Sequence, residues 1–129
     1  MSANETQVGG DHYKSATGVQ HWDFVCINNI DYLRAQVLKY LQRWKKKNGL
    51  QDLQKAAHFY EKLLEVPRQP MERHTWSVPF HDYIRDNEVG AEEASIMDDV
   101  LSNGTVDLRV GLEALRKLIT AQPRPKEQS

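Results

Sequence analysis

Lys39, Arg43 and Lys46 stand at i, i+4 and i+7, a spacing that lines up all three cations if the chain around them is helical. Such a column suits a ligand with several phosphate oxygens, because an arginine fork matches them in pairs and each lysine adds a mobile point charge. A second stretch, QVGGDHYKS at 7–15, sets two adjacent glycines before Asp11, His12 and Tyr13. Glycines let a backbone approach another group closely, and the three side chains bring three hydrogen-bonding chemistries. A loop of this make-up either turns the chain or holds a ligand. On charge pattern alone the lysine–arginine column is a solvated helix face, and His12 a solvent-facing or capping group.

The elements that must position these residues are helical. Leu33, Val37, Leu41 and Trp44 recur at steps of four, four and three, which predicts an amphipathic helix over about 33–47 with the cations roughly opposite its apolar stripe. Asn48-Gly49 supplies a stop. Leu53, Ala56, Tyr60, Leu63 and Leu64 predict a second helix over about 51–65, and the short turn between the two makes an antiparallel hairpin. A short helix is expected before them at 22–30, with Phe24, Ile27 and Ile30 on one side. Residues 66–79 carry Pro67, Pro70 and Pro79 and no sustained period, which marks the main internal boundary. Short helices follow from Pro79 to Asn87, from Ala91 to Leu101, and along Leu108, Leu112, Leu115 and Ile119. With strand signals nearly absent, the class is all-α. The chain divides into a leader at 1–8, a helical domain at 9–65, a linker at 66–78, an acidic helical region at 79–121 and a tail at 122–129. Both ends are expected to lie outside the core.

With 129 residues, of which 40% are hydrophobic and 27% charged, the composition is that of one ordinary soluble domain. No apolar run approaches the roughly 20 residues that span a bilayer, and no signal-like leader is visible, so a cytoplasmic location without membrane contact is expected. The lone Cys26 excludes an intrachain disulfide and a zinc knuckle, and reads as a small buried hydrophobe. Net charge is only −1, but residues 34–62 are strongly basic and residues 79–113 strongly acidic. That asymmetry suggests an anionic ligand at the centre, with attraction between the two halves or between subunits. No Walker phosphate loop occurs, and VGGDHY follows no strand, so it is not a dinucleotide fingerprint. His58 is not joined by His21, His74 or His81 at metal-ligand spacing. Glu92-Glu93 and Asp98-Asp99 are read as an exposed acidic face rather than a magnesium site.

Taken together, GGDHY at 9–13, LKYLQRWKKKNG at 38–49 and DLQKAAHFYEKLL at 52–64 resemble a family of small bacteriophage proteins. The shared pattern is a Gly-Gly-x-His-Tyr loop, Lys-Tyr-x-x-Arg on a helix, a Lys-x-Gly turn, and Asp-Leu-x-Lys-Ala with a tyrosine on the next helix. That family includes an early-gene nucleotide kinase, a nucleoside-monophosphate kinase without a P-loop. The resemblance covers about Val8 to Glu65 and implies phosphate transfer onto deoxynucleoside monophosphates in the cytoplasm of an infected bacterial host. It implies catalytic roles for His12, Lys39 and Arg43. Gly9, Gly10, Tyr13, Lys46, Asp52 and Lys55 would bind nucleotide, with Asp52 holding sugar or base donors and Lys55 a phosphate.

A nucleoside triphosphate would donate the phosphate. No carboxylate cluster lies near the basic column in the sequence, so divalent metal is expected to assist little and no metal-ligand set is assigned. Nucleotides and further copies of the chain are the expected partners. A nucleotide-sequestering protein using the same pocket without chemistry is the alternative. Binding of nucleic acid through KYLQRWKKK is disfavoured, because the acidic half would repel a long duplex.

Overall fold

A computed structural model describes residues 18–123, which form six α-helices and one 3-10 turn with no strand among the described residues. The all-α expectation holds. The helices are α1 (His21–Ile27), α2 (Tyr32–Arg43), α3 (Leu50–Glu65), α4 (Phe80–Asp86), α5 (Ala91–Val100) and α6 (Thr105–Thr120), with the 3-10 turn at Arg73–Thr75. The four longer helices close a ring, in which α2 packs on α3, α3 on α6, α6 on α5 and α5 back on α2. Val37, Leu38, Leu41, Leu53, Ala56, Tyr60, Leu63, Ile96, Met97, Leu108 and Leu115 fill its centre. Each recurs at helical spacing, so every helix turns one apolar stripe inward.

The short helices form an aromatic cap. Phe24 of α1 stacks on Tyr83 of α4 with centroids 4.5 Å apart and planes 15° apart, and meets Trp76 edge-on at 5.3 Å. Here α1 departs from its expected form. It starts at His21, where Gln20 and Asp23 form a capping box, and stops at Ile27 because Asn29 takes φ 55°. Only Phe24 is wholly buried on it, while Ile27 and Cys26 face outward. The buried thiol expected from composition is therefore an exposed one. Cys26 lies two residues from Phe24, a turn of roughly 200° around the helix, so burying one exposes the other.

The hairpin forms as expected, but α2 ends at Arg43 and the chain passes through turns before α3. Gly49 takes φ 57° and donates its N–H back to the Trp44 carbonyl at 2.8 Å, so the reversal needs a residue without a side chain there. The proline-bearing stretch after α3 is anchored by asparagine side chains. Asn28 donates to the Val78 carbonyl at 2.7 Å and accepts from the Val78 N–H at 3.1 Å. Asn103 pairs with both the N–H and the carbonyl of Met71. Each amide thus imitates a strand partner for one residue of extended chain.

Candidate anion-binding site on the helical hairpin

Tyr40 lies at the centre of the candidate site. Its ring is nearly buried on α2 and stacks against Phe59 of α3, with centroids 5.9 Å apart and planes within 10°. Three cations gather over the same ring, the Arg43 guanidinium carbon at 4.7 Å, Lys39 Nζ at 5.3 Å and Lys55 Nζ at 5.5 Å. Lys39 and Arg43 come from the last turns of α2. Lys55 comes from the start of α3, so the antiparallel hairpin completes the group. The aromatic face holds the three cations together on one side of the hairpin, an arrangement that suits an anion.

The other residues expected at the site are distributed differently. Lys46 lies beyond the end of α2, with Nζ 3.8 Å from the Glu88 carboxylate, so it does not continue the Lys39–Arg43 column. Asp52 is fully buried and its carboxylate takes an N–H of Arg43 at 3.3 Å and the backbone N–H of Asn48 at 3.2 Å. This placement gives Asp52 the work of closing the turn and aiming Arg43, with no surface left for a sugar or base. Gly9, Gly10, His12 and Tyr13 lie outside the described residues.

His21 adds to the electrostatics. It shares a 2.9 Å hydrogen bond through Nδ1 with the hydroxyl of buried Tyr83. Burial, followed by the nearby positive charge of Lys39, lowers its pKa to about 4, so the ring is neutral at pH 7. Burial also pushes the Tyr83 phenol well above the ordinary tyrosine range.

The charge asymmetry of the sequence is met partly within the chain. Lys45 reaches Glu93 at 3.2 Å, Lys46 reaches Glu88, and Arg73 reaches Asp98 at 2.7 Å. Trp44 also donates from Nε1 to Glu93 at 2.9 Å. Burial works against the Glu93 carboxylate, but this indole, its own backbone and Lys45 together leave its pKa below the usual range.

Two open hollows of about 370 and 310 Å³ flank Gln69 and Pro70, and neither is lined by Lys39, Arg43 or Lys55. Among the described residues no group of three or more His, Cys, Asp or Glu side chains is placed to hold a metal ion. No helix among them is long and apolar enough to cross a membrane.

The segment that carries α1, α2 and most of α3 is also the one with a known relative in sequence. Residues 8–61 match DUF3310, a family described as a protein of unknown function. No curated protein and no solved structure matches the chain. The DUF3310 match takes in Tyr40, Lys39, Arg43, Asp52, Lys55 and Phe59, and so covers the whole cluster built on the hairpin. It also covers Gly9, Gly10, His12 and Tyr13.

Sequence reasoning selected Lys39, Arg43 and Lys55 but overlooked the ring between them. A detectable signal was present: Tyr32, Gln36 and Tyr40 recur at steps of four beside the cationic column. Against the apolar stripe, two tyrosines with a glutamine between them at this spacing mark a second, polar-aromatic face.

Proposed function

We propose that the Lys39–Arg43–Lys55 cluster binds the phosphates of a nucleotide, and that the chain transfers a phosphoryl group from a nucleoside triphosphate to a deoxynucleoside monophosphate. The observation that carries the binding part is the gathering of three cations within 5.5 Å of one aromatic ring. Three positive charges around one wall cost electrostatic energy unless an anion offsets them. The transfer part rests on the resemblance to the phage nucleotide kinase.

In such a reaction an ionised oxygen of the acceptor monophosphate attacks the γ-phosphorus of the donor. The bond from that phosphorus to the β–γ bridging oxygen breaks, and a nucleoside diphosphate leaves with the electron pair. The attacking oxygen carries no proton at neutral pH, so no general base is needed. Catalysis then consists of alignment and charge neutralisation, which Lys39, Arg43 and Lys55 can provide. The same reading assigns Gly9, Gly10, His12 and Tyr13 to the nucleotide. It also includes self-association and action in the cytoplasm of an infected bacterium.

Sequestration without chemistry is favoured by one observation. The described residues at the cluster give cations and an aromatic wall, which suffice to hold a nucleotide, and Asp52 is engaged with Arg43 and Asn48. Incubation of the pure protein with labelled dGMP or dTMP and a panel of triphosphates separates the readings. Formation of labelled diphosphate supports the kinase; nucleotide that is retained but unconverted supports sequestration. Failure to retain any nucleotide sinks both.

A further inference from the structure

We infer that Tyr32 is the platform on which the nucleobase lies when the phosphates of a nucleotide occupy the Lys39–Arg43–Lys55 cluster. This rests on the phosphate-binding reading above and extends it to the base. Tyr32 is 67% exposed, more than Trp22 at 46%. Its ring does not hang free. It meets Phe59 edge-on at 6.2 Å and 80°, and Phe59 in turn stacks on Tyr40, so three rings run from open solvent to the cations.

Gln36 lies one turn along α2 and donates from Nε2 to the Tyr32 hydroxyl at 3.3 Å, which ties the exposed ring to the helix at a second point. An aromatic surface fixed in this way pays little further ordering cost when a flat ligand settles on it. Along the helix axis Tyr32 and Tyr40 are separated by about 12 Å and Gln36 and Tyr40 by about 6 Å. A sugar can bridge that interval. Asp52, the residue assigned to sugar or base by resemblance, is buried and occupied, whereas Tyr32 and Gln36 are the polar-aromatic groups that continue the cationic face outward. Stacking is tolerant of base identity, because every base has a π-face, so both purine and pyrimidine nucleotides are accommodated. The Gln36 amide, with a donor and an acceptor, is the group placed to tune that preference.

The test compares the unaltered full chain with Tyr32→Phe and Tyr32→Ala, titrated calorimetrically with dGMP, with dTMP and with inorganic tripolyphosphate as a base-free probe. Tyr32→Ala is expected to weaken both nucleotides about tenfold and leave tripolyphosphate unchanged, while Tyr32→Phe stays near the unaltered chain. Nucleotide binding that is unaffected by Tyr32→Ala overturns the platform and leaves the phosphate cluster standing. An equal loss for tripolyphosphate marks damage to the start of α2 and also overturns it. If the unaltered chain binds neither nucleotide nor tripolyphosphate, the phosphate reading fails and the platform with it. Affinity that climbs with the length of a single-stranded oligonucleotide overturns the platform in favour of strand binding.

Discussion

The Arg34 side chain donates from Nε to the carbonyl of Val100 at 2.7 Å, joining the first turns of α2 to the last residue of α5. The guanidinium is wholly buried. It also donates to Asp31 at 2.8 Å, to the Gln69 carbonyl at 3.1 Å and to the Ser102 carbonyl at 3.1 Å. A buried charge is tolerated when its donors find acceptors, and here the acceptors come from the cap of α2, the connector after α3, the last residue of α5 and the turn after it.

Arg34→Ala should therefore cost about 3–5 kcal/mol, since it leaves buried carbonyls and Asp31 unpaired as well as opening a cavity. Arg34→Met, which refills the volume, should recover only part of that loss because the acceptors stay unsatisfied. Urea denaturation followed by circular dichroism measures both. A loss below about 1 kcal/mol for Arg34→Ala would contradict the joining role.

Gly111 and Tyr60 form a second coupled pair. The Tyr60 hydroxyl is buried without a hydrogen-bond partner among the described residues, and a Cβ on Gly111 would run into both that oxygen and the Cβ of Asp99. Gly111→Ala should destabilise by about 1–3 kcal/mol through overpacking. Tyr60→Phe should be neutral or slightly stabilising, because it removes an unsatisfied polar atom. The double variant should be more stable than the sum of the two single effects, and strict additivity would show that the two sites do not touch.

The low pKa of His21 sets a pH window. The ordinary value of 6.5 falls to about 4 in the folded chain, so the unfolded chain binds the extra proton first as acid is added. The neutral ring contributes stability that is fully present above about pH 6.5 and is lost as the pH falls toward 4. His21→Asn, which keeps a polar atom near Tyr83 but cannot titrate, should flatten this loss. Urea midpoints for the two proteins, measured from pH 7 down to pH 4, should converge as the pH falls; a constant difference would rule the histidine out as the cause.

Lys39→Ala and Lys55→Ala should each weaken binding of dNMP and tripolyphosphate about tenfold, the equivalent of about 1.4 kcal/mol, with little change in the urea midpoint. Arg43→Ala should also lose stability, because it strips buried Asp52 of its cationic partner. Isothermal titration beside denaturation separates the two effects. If both lysine variants bind as the unaltered chain does, the cations return to a solvated helix face.

Much of the helix order was legible because Val37, Leu41, Leu53, Tyr60, Leu108 and Leu115 recur with the period of a one-sided helix. The ends were less so. Asn29 in a left-handed conformation and the turns from Trp44 to Gly49 are settled by local backbone bonds that hydrophobic period does not register. Arg34 read as one more cation of a basic stretch, since its acceptors at Val100 and Ser102 are more than sixty residues away. Separations of 50 and 32 residues hid Asn28 and Asn103, whose partners are backbone groups and leave no trace in residue type. At the candidate site, Lys39 and Arg43 were visible as a helical pair, but the place of Lys55 beside them depends on how the hairpin sets its register.

The ring of four helices bears on what can be inherited separately. Residues 8–61 supply α2 and most of α3, which are adjacent walls of a four-walled box, and the inner stripes of both walls are covered by α5 and α6. The recurring sequence unit is thus smaller than the folding unit. Any chain that keeps this segment and changes its second half must bring another apolar lid for Leu38, Leu53 and Tyr60, so the second half can drift in sequence only as far as it still shuts the box.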